Sequence, residues 1–320
     1  YNAIIINNNP ETVSTDGDVS DRLYFEPLTA EDVENVLAKE QPAAVFTQFG
    51  GQAAIKLGAP LSQDGYPLAG SNQETIDLAE DRDRFRELLQ KLNIPQPPGA
   101  TVTSLDQALA VADDCGYPVL VRPSYVLGGQ AMKIVNTPEQ LKGYAAEALI
   151  ASGGHPLLID KYLAGQEIEV DAVADGEQVL IPGILEHVER AGVHSGDSIA
   201  IYPARDLTPE QKAAIVDYTW RMSRGLKIKG LLNNQFVLHE DQGYVEEYNP
   251  RASRTVPFLS KVTGVPLVKL AVQVSLGQQL ADLGYGAGLL PARNHVTVKV
   301  PVFSTGKLPG VEAALGPEMR

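Results

Sequence analysis

The stretch "NNQFVLHEDQGYVEEYNPRASR" (residues 233–254) reads as two β-runs around a short polar loop, followed by a proline and two arginines. Alternate side chains of a strand share a face. On the second run one face carries Glu247 and Asn249, the other Glu246, Tyr248 and Pro250. A hairpin loop centred on Asp241, with Gly243 at a left-handed turn position, sets Gln235 opposite Glu247, with Asn249 two places along on the same face. Three oxygen donors then form one patch. Hard cations such as magnesium take such ligands, together with water and substrate phosphates. A solvated hairpin face has the same pattern. What weighs against that is the sequel: Pro250 stops the strand, and Arg251 and Arg254 follow. Arginine forks bind phosphate oxygens at two points. The stretch predicts a metal–nucleotide site.

Outward from it, "RPSYVLGGQAMKIV" (122–135) sets Gly128 and Gly129 between two β-runs, as a plain hairpin tip or as a flap whose backbone N–H groups close over phosphates. Arg122 ends an apolar strand, and a buried arginine needs an anionic partner. "LLIDKYLAGQEIEVDA" (157–172) reads strand, loop, strand. The backbone at Lys161–Leu163 suits an adenine edge and Glu167 suits ribose hydroxyls, although an ordinary connection fits equally. "EHVERAGVHSGDS" (186–198) holds two of the five histidines. Zinc on His187 and His194 is poorly supported, because no third ligand stands at a familiar spacing. A loop closing on substrate is the better functional reading. The chain has no Walker A loop and no dinucleotide glycine fingerprint.

The chain has 320 residues, an apolar fraction of 44% and a formal net charge of -14, from 26 Lys and Arg against 40 Asp and Glu. That is enough for one large α/β unit or a few small domains. So acidic a surface argues against general binding to nucleic acid or anionic lipid, though not against an anion in a local basic pocket. One cysteine, Cys115, rules out an internal disulfide, and no apolar run reaches membrane-span length. A cytoplasmic enzyme is the expectation.

Candidate strands are 3–7, 43–49, 118–123, 156–162, 167–175 and 296–303. Candidate helices are 30–40, 72–93, 104–115, 137–151, 208–226 and 266–283. "TPEQ" at Thr137 and again at Thr208 has the signature of a capped helix start. A parallel, doubly wound opening followed by antiparallel hairpins gives α/β then α+β, with a linker near 93–102. "YNAIIINNNP" enters a buried-type strand almost at once, so the chain is expected to begin inside a domain.

Together "NNNPETVSTD", "EDRDRF", "RPSYVLGG", "EHVERAGVHSGDS" and "EYNPRASRTVPFLSKVTG" resemble the large subunit of carbamoyl phosphate synthetase, an ATP-grasp enzyme with two related synthetase halves. The match runs through essentially the whole chain. "RPSYVLGG" and "AGVHSGDS" look like the C-terminal half. The resemblance implies an ATP-grasp fold preceded by a partial Rossmann-like pre-ATP-grasp α/β domain. Its implied boundaries are 1–83, 84–278 with a lid at roughly 117–190, and a closing segment at 279–320. It implies phosphorylation of carbamate by ATP, with two magnesium or manganese ions on Gln235, Glu247 and Asn249. Arg82 and Arg122 would contact the nucleotide or its phosphates, and Arg251 and Arg254 the transferred phosphoryl and carbamate. The Gly128–Gly129 flap would cover the phosphates. Lys161 and Leu163 would form the adenine hinge, Glu167 would meet the ribose, and Gly192, Val193, His194 and Ser195 would line the nucleotide. Implied partners are the N-terminal synthetase half and a glutaminase subunit. The family's opening strand, its glycine loop and its C-terminal regulatory domain are not among these residues.

Overall fold

The computed structural model describes residues 1–123, 132–151, 156–303 and 314–317. At the N-terminus, β1 (Ile4–Asn7) and β2 (Arg22–Phe25) pair in parallel, beside α1 (Ala30–Glu40). Thr29 caps α1 by accepting from Asp32 N, and Gln41 ends it in the left-handed region. Val33 and Leu37, one helical turn apart, bury against Leu57 and Leu61 of the segment holding α2 (Gly51–Ile55) and α3 (Gly58–Gln63). The strand expected at 43–49 is reduced to one parallel bridge, Val45 with Leu68. Gln48 is the reason. Its side chain turns inward, donating to Pro250 O at 2.7 Å and accepting from Ser71 N, and the chain then bends into α2 at Gly51 (φ 63°).

The long helix expected over 72–93 is two helices, α4 (Gln73–Glu80) and α5 (Arg82–Lys91). Asp81 divides them. Its extended backbone (ψ 111°) lets the carboxylate accept from the N–H groups of Asp83 and Arg84, so it caps the second helix while ending the first. Aspartate favours such a cap over a helix interior. Arg82 is thereby the first residue of α5.

Next comes a four-stranded antiparallel sheet in the order β3 (Gly99–Val102), β6 (Leu157–Lys161), β4 (Val119–Pro123), β5 (Lys133–Val135). The expected linker thus ends in an edge strand. Helices α6 (Leu105–Cys115) and α7 (Pro138–Ala151) cover the sheet, burying Val102, Ala108, Val119, Val121, Leu141, Leu157 and Ile159 together.

The largest sheet is ordered β12 (Gln242–Asn249), β11 (Lys229–His239), β7 (Gln166–Asp175), β9 (Leu185–Arg190), β10 (Ala200–Tyr202), β14 (Thr297–Lys299), while β8 (Val179–Ile181) joins β7 to β13 (Gly288–Leu289). One face buries Ile168, Val170, Ala172, Leu232, Phe236, Val245 and Tyr248 with Ile215 and Met222 of α8 (Pro209–Leu226). Thr208 and Gln211 form the full capping box expected for α8. At one end of the other face, Val173 and Leu231 pack under α9 (Val256–Thr263) and α10 (Leu267–Ser275). The rest of that face is polar and borders the cleft with the smaller sheet. The last expected helix stops at Ser275, because Gly277 takes φ 100°, and the last expected strand shortens to Thr297–Lys299.

Candidate active site

Strands β11 and β12 pair as the spacing predicts, with Gln235 opposite Glu247 and Asn233 opposite Asn249. Between Gln235 and Phe236 the register shifts, since Phe236 faces Val245. Glu246 is therefore the extra residue of a β-bulge. Val245 and Tyr248 both lie in the core, so the two residues between them, Glu246 and Glu247, both turn away from it. This corrects the expected placement of Glu246 on the face of Tyr248. The hairpin tip is also corrected: Glu240 (φ 47°) and Asp241 (φ 66°) are the left-handed pair, and Gly243 pairs with Leu238 inside the strand.

Gln235 donates Nε2 to Ser195 Oγ at 2.9 Å. Asn249 directs Nδ2 to Asn233 Oδ1 at 3.4 Å, and its Oδ1 accepts from Arg251 at 3.1 Å. Both amides point their nitrogens at protein acceptors, and their side chains share a sheet face with the exposed carboxylate of Glu247. This donor set fits a hard divalent cation. Behind it, Gln48 O accepts from Ala252 N at 3.0 Å, so the arginine loop is tied to the N-terminal layer. Arg254 reaches Gly196, where an added Cβ would lie 2.6 Å from its NH1. His194 Nδ1 accepts from Gly196 N at 3.1 Å, and burial, with Arg254's charge as a smaller cause, lowers its pKa. Gln235, Glu247, Asn249, Arg251, Arg254, His194 and Ser195 thus converge. The ring of His187 lies between Glu169 (3.0 Å) and Glu167 (3.5 Å).

The adjoining cleft is lined by Arg82, Arg122, Asp160, Lys161, Leu163, Gly192 and Glu246. Arg122 is buried and donates to Asp160 Oδ2 at 2.7 Å, the anionic partner its burial demands. The other oxygen of Asp160 takes Arg86 at 3.0 Å. Arg122 Nε has no partner among the described residues. Asp160 and Glu246 outweigh the effect of burial and raise the pKa of Arg122. Arg82 keeps solvent-open surface, yet desolvation by the cleft walls and the charge of Arg122 lower its pKa to about 10. Burial, then Glu167, raises Glu246 to about 7 against the pull of Arg122. Lys161 donates Nζ to Gly116 O (3.0 Å) and Tyr117 O (2.9 Å), so its ammonium is committed to the backbone leading into β4. Glu167 is buried against His187, and its pKa is raised by that burial. Gly192 takes φ 103° with Tyr162 close by, and Val193 follows it towards Ser195. Gly128 and Gly129 lie outside the described residues.

Several neighbours were not singled out in the sequence: Gln48, Asp160, Glu169, Asp171, Asn233 and Thr255. Asp160 carried a signal, as a lone acid within the apolar run "PLLIDKY". The others meet the site only through long-range pairing.

A family model described as "Carbamoyl-phosphate synthase L chain, ATP binding domain" matches residues 81–283, and one described as "Carbamoyl phosphate synthase preATP-grasp domain" matches residues 1–78. Among solved structures, the fold is similar to the biotin carboxylase domain of Hydrogenobacter thermophilus 2-oxoglutarate carboxylase, in complex with MgADP, ADP and bicarbonate (TM-score 0.73, 23% identity, 87% of this chain and 64% of that one). It is also similar to Campylobacter jejuni biotin carboxylase in a β-γ-ATP complex (TM-score 0.75, 17% identity, 87% and 66%). The chain spans a little under two thirds of the length of these relatives. With both models matched along its length, the chain belongs to the carbamoyl-phosphate synthase large-chain ATP-binding family, and its fold is an ATP-grasp fold preceded by a pre-ATP-grasp domain.

Proposed function

We propose that this chain transfers the γ-phosphoryl of ATP to carbamate, giving carbamoyl phosphate and ADP. The observation that carries this reading is the register of Gln235 against Glu247, with Asn249 beside them and Arg251 and Arg254 directly after. Magnesium or manganese, held as two ions on Gln235, Glu247 and Asn249, would supply charge neutralisation at the phosphates. A carbamate oxygen attacks phosphorus in line as the bond to the ADP oxygen breaks. Such a transfer needs positioning and charge stabilisation more than a protein nucleophile. Arg122 and Arg82 suit the nucleotide phosphates, Arg251 and Arg254 the phosphoryl oxygens and carbamate. The hinge at Lys161–Leu163 suits adenine and its neighbour Glu167 the ribose. The motifs "RPSYVLGG" and "AGVHSGDS" favour carbamate as acceptor. In a complete enzyme, carbamate would come from an N-terminal synthetase half fed by a glutaminase subunit. Glutamine-dependent carbamoyl phosphate synthesis of this kind serves arginine and pyrimidine formation.

A second reading, a carboxylase-type ATP-grasp ligase, is favoured by the biotin carboxylase likeness. One comparison tests both. ATP formation from MgADP and carbamoyl phosphate, above a Glu247→Gln blank, supports the first. Bicarbonate-dependent ATP hydrolysis stimulated by biotin, with no such ATP formation, replaces it with the second.

A further inference from the structure

Thr255 follows the arginine loop and occupies the cap position of α9, yet its side chain makes no cap hydrogen bond. A threonine there ordinarily accepts from the first turn of its own helix. Instead its hydroxyl lies 2.9 Å from Glu169 Oε1, 2.8 Å from Ser253 Oγ and in hydrogen-bond contact with Asp171. Asn233 Nδ2 donates one hydrogen to Glu169 (2.8 Å) and the other to Asp171 (3.0 Å). Its Oδ1 meets Asn249 Nδ2, and Asn249 in turn accepts from Arg251. All four residues, Glu169, Asp171, Asn233 and Thr255, are buried.

One hydroxyl has one hydrogen, so Thr255 cannot donate to both acids. The contacts close when Asp171 is the protonated member: its O–H donates to Thr255 Oγ1, and Thr255 donates to Glu169. Burial and the neighbouring charge of Glu169 raise Asp171 to about 7, in keeping with that arrangement. Glu169 is held below the ordinary carboxylate range, because bonds from His187, Asn233 and Thr255 more than offset its burial.

We propose that Glu169, Asp171 and Thr255 are positioning residues, a buried clasp beneath the metal-ligand strands that holds the Arg251–Arg254 loop in register with Asn249. The clasp does not touch substrate. Its catalytic consequence rests on the function proposed above, in which those arginines meet the transferred phosphoryl group. The loop between β12 and α9 has no ladder of its own, and the other end of its support is Gln48.

The test compares Thr255→Val, which keeps shape and loses the hydroxyl, with Thr255→Ser, which keeps the hydroxyl, in the full 320-residue chain. Amide exchange over residues 250–256 is read with MgADP affinity by calorimetry and with kcat and KM for ATP formation. The expected result for Thr255→Val is about tenfold faster exchange in this segment. Its kcat should fall about thirtyfold while MgADP affinity stays within about twofold. Thr255→Ser should restore exchange and kcat to within about threefold of the starting chain. Unchanged exchange in Thr255→Val, or a serine variant as impaired as the valine one, overturns the clasp. If Thr255→Val does not fold, Asp171→Asn decides: its amide still donates to Thr255, so exchange near that of the starting chain supports the clasp and fast exchange overturns it. A starting chain that binds MgADP but forms no ATP defeats the proposed reaction and leaves the exchange comparison to judge the clasp.

Discussion

Glu247→Gln keeps the shape of the side chain but removes the one formal charge among Gln235, Glu247 and Asn249. The exposed position makes few demands on the fold, so melting should stay unchanged while phosphoryl transfer falls at least about a hundredfold. Near-normal turnover in a folded Glu247→Gln protein would remove the metal assignment. Asp160 is a different kind of residue. It partners two arginines, Arg122 and Arg86, at low exposure. Asp160→Ala leaves Arg122 buried without its hydrogen-bonded anion, and loss of one member of a buried pair costs about 3–5 kcal/mol. Urea unfolding should show that loss, with saturating MgADP recovering part of it as phosphates take the vacated role. A loss under about 1 kcal/mol would mean that the pair is solvated.

Among the elements, the β11–β12 hairpin shows what its residues disclosed and what they withheld. Gln235 opposite Glu247 was legible by centring the polar loop on Asp241; the tip itself is centred between Glu240 and Asp241, and the bulge at Glu246 restores that pairing on the ligand side. The bulge was not, because "VEE" alternates acceptably whether or not Glu246 is inserted. Arg122 disclosed its need for a buried anion, but not that Asp160 would be the one. Glu169 looked like an ordinary acid of a strand, and the pairing of Glu167 with a histidine was hidden, because their partner His187 lies on the neighbouring strand of the sheet. The split at Asp81 was likewise hidden by a continuous helical period, although "EDRD" held the cap. The tip carries its own prediction. Glu240 and Asp241 both adopt positive φ, which asparagine and glycine tolerate better than glutamate. Glu240→Asn should stabilise the protein by about 0.5 kcal/mol without altering nucleotide affinity, read as a rise in urea midpoint. A lower midpoint would show that Glu240 makes a compensating contact.

For the whole molecule, buried acids and His187 tie stability to pH. Burial alone would lower the pKa of His187, but the flanking carboxylates of Glu167 and Glu169, the latter hydrogen-bonded to it, prevail and raise it to about 9. A histidine raised in the folded state stabilises fully below its unfolded value, near 6.5, and that contribution is lost as pH climbs to about 9. Melting temperature should therefore fall between those limits, and His187→Gln should flatten the slope. An equal slope in His187→Gln would place the titration on another group; Asp171 and Glu246, raised to about 7, act at lower pH, between the ordinary carboxylate range and 7.

The bulge at Glu246 also bears on how this hairpin can change over evolutionary time. A β-strand transmits a one-residue insertion or deletion along its whole length, because every side chain beyond it changes sides. Here the phase is already reset midway, so the tip side and the ligand side of β12 keep separate counts. Loops of different length at Glu240–Asp241 can be accepted without disturbing Glu247 or Asn249. Removing Glu246 itself would leave Val245 and Tyr248 inward and Glu247 outward in strict alternation, so the strand would lose its bend without any side chain exchanging faces.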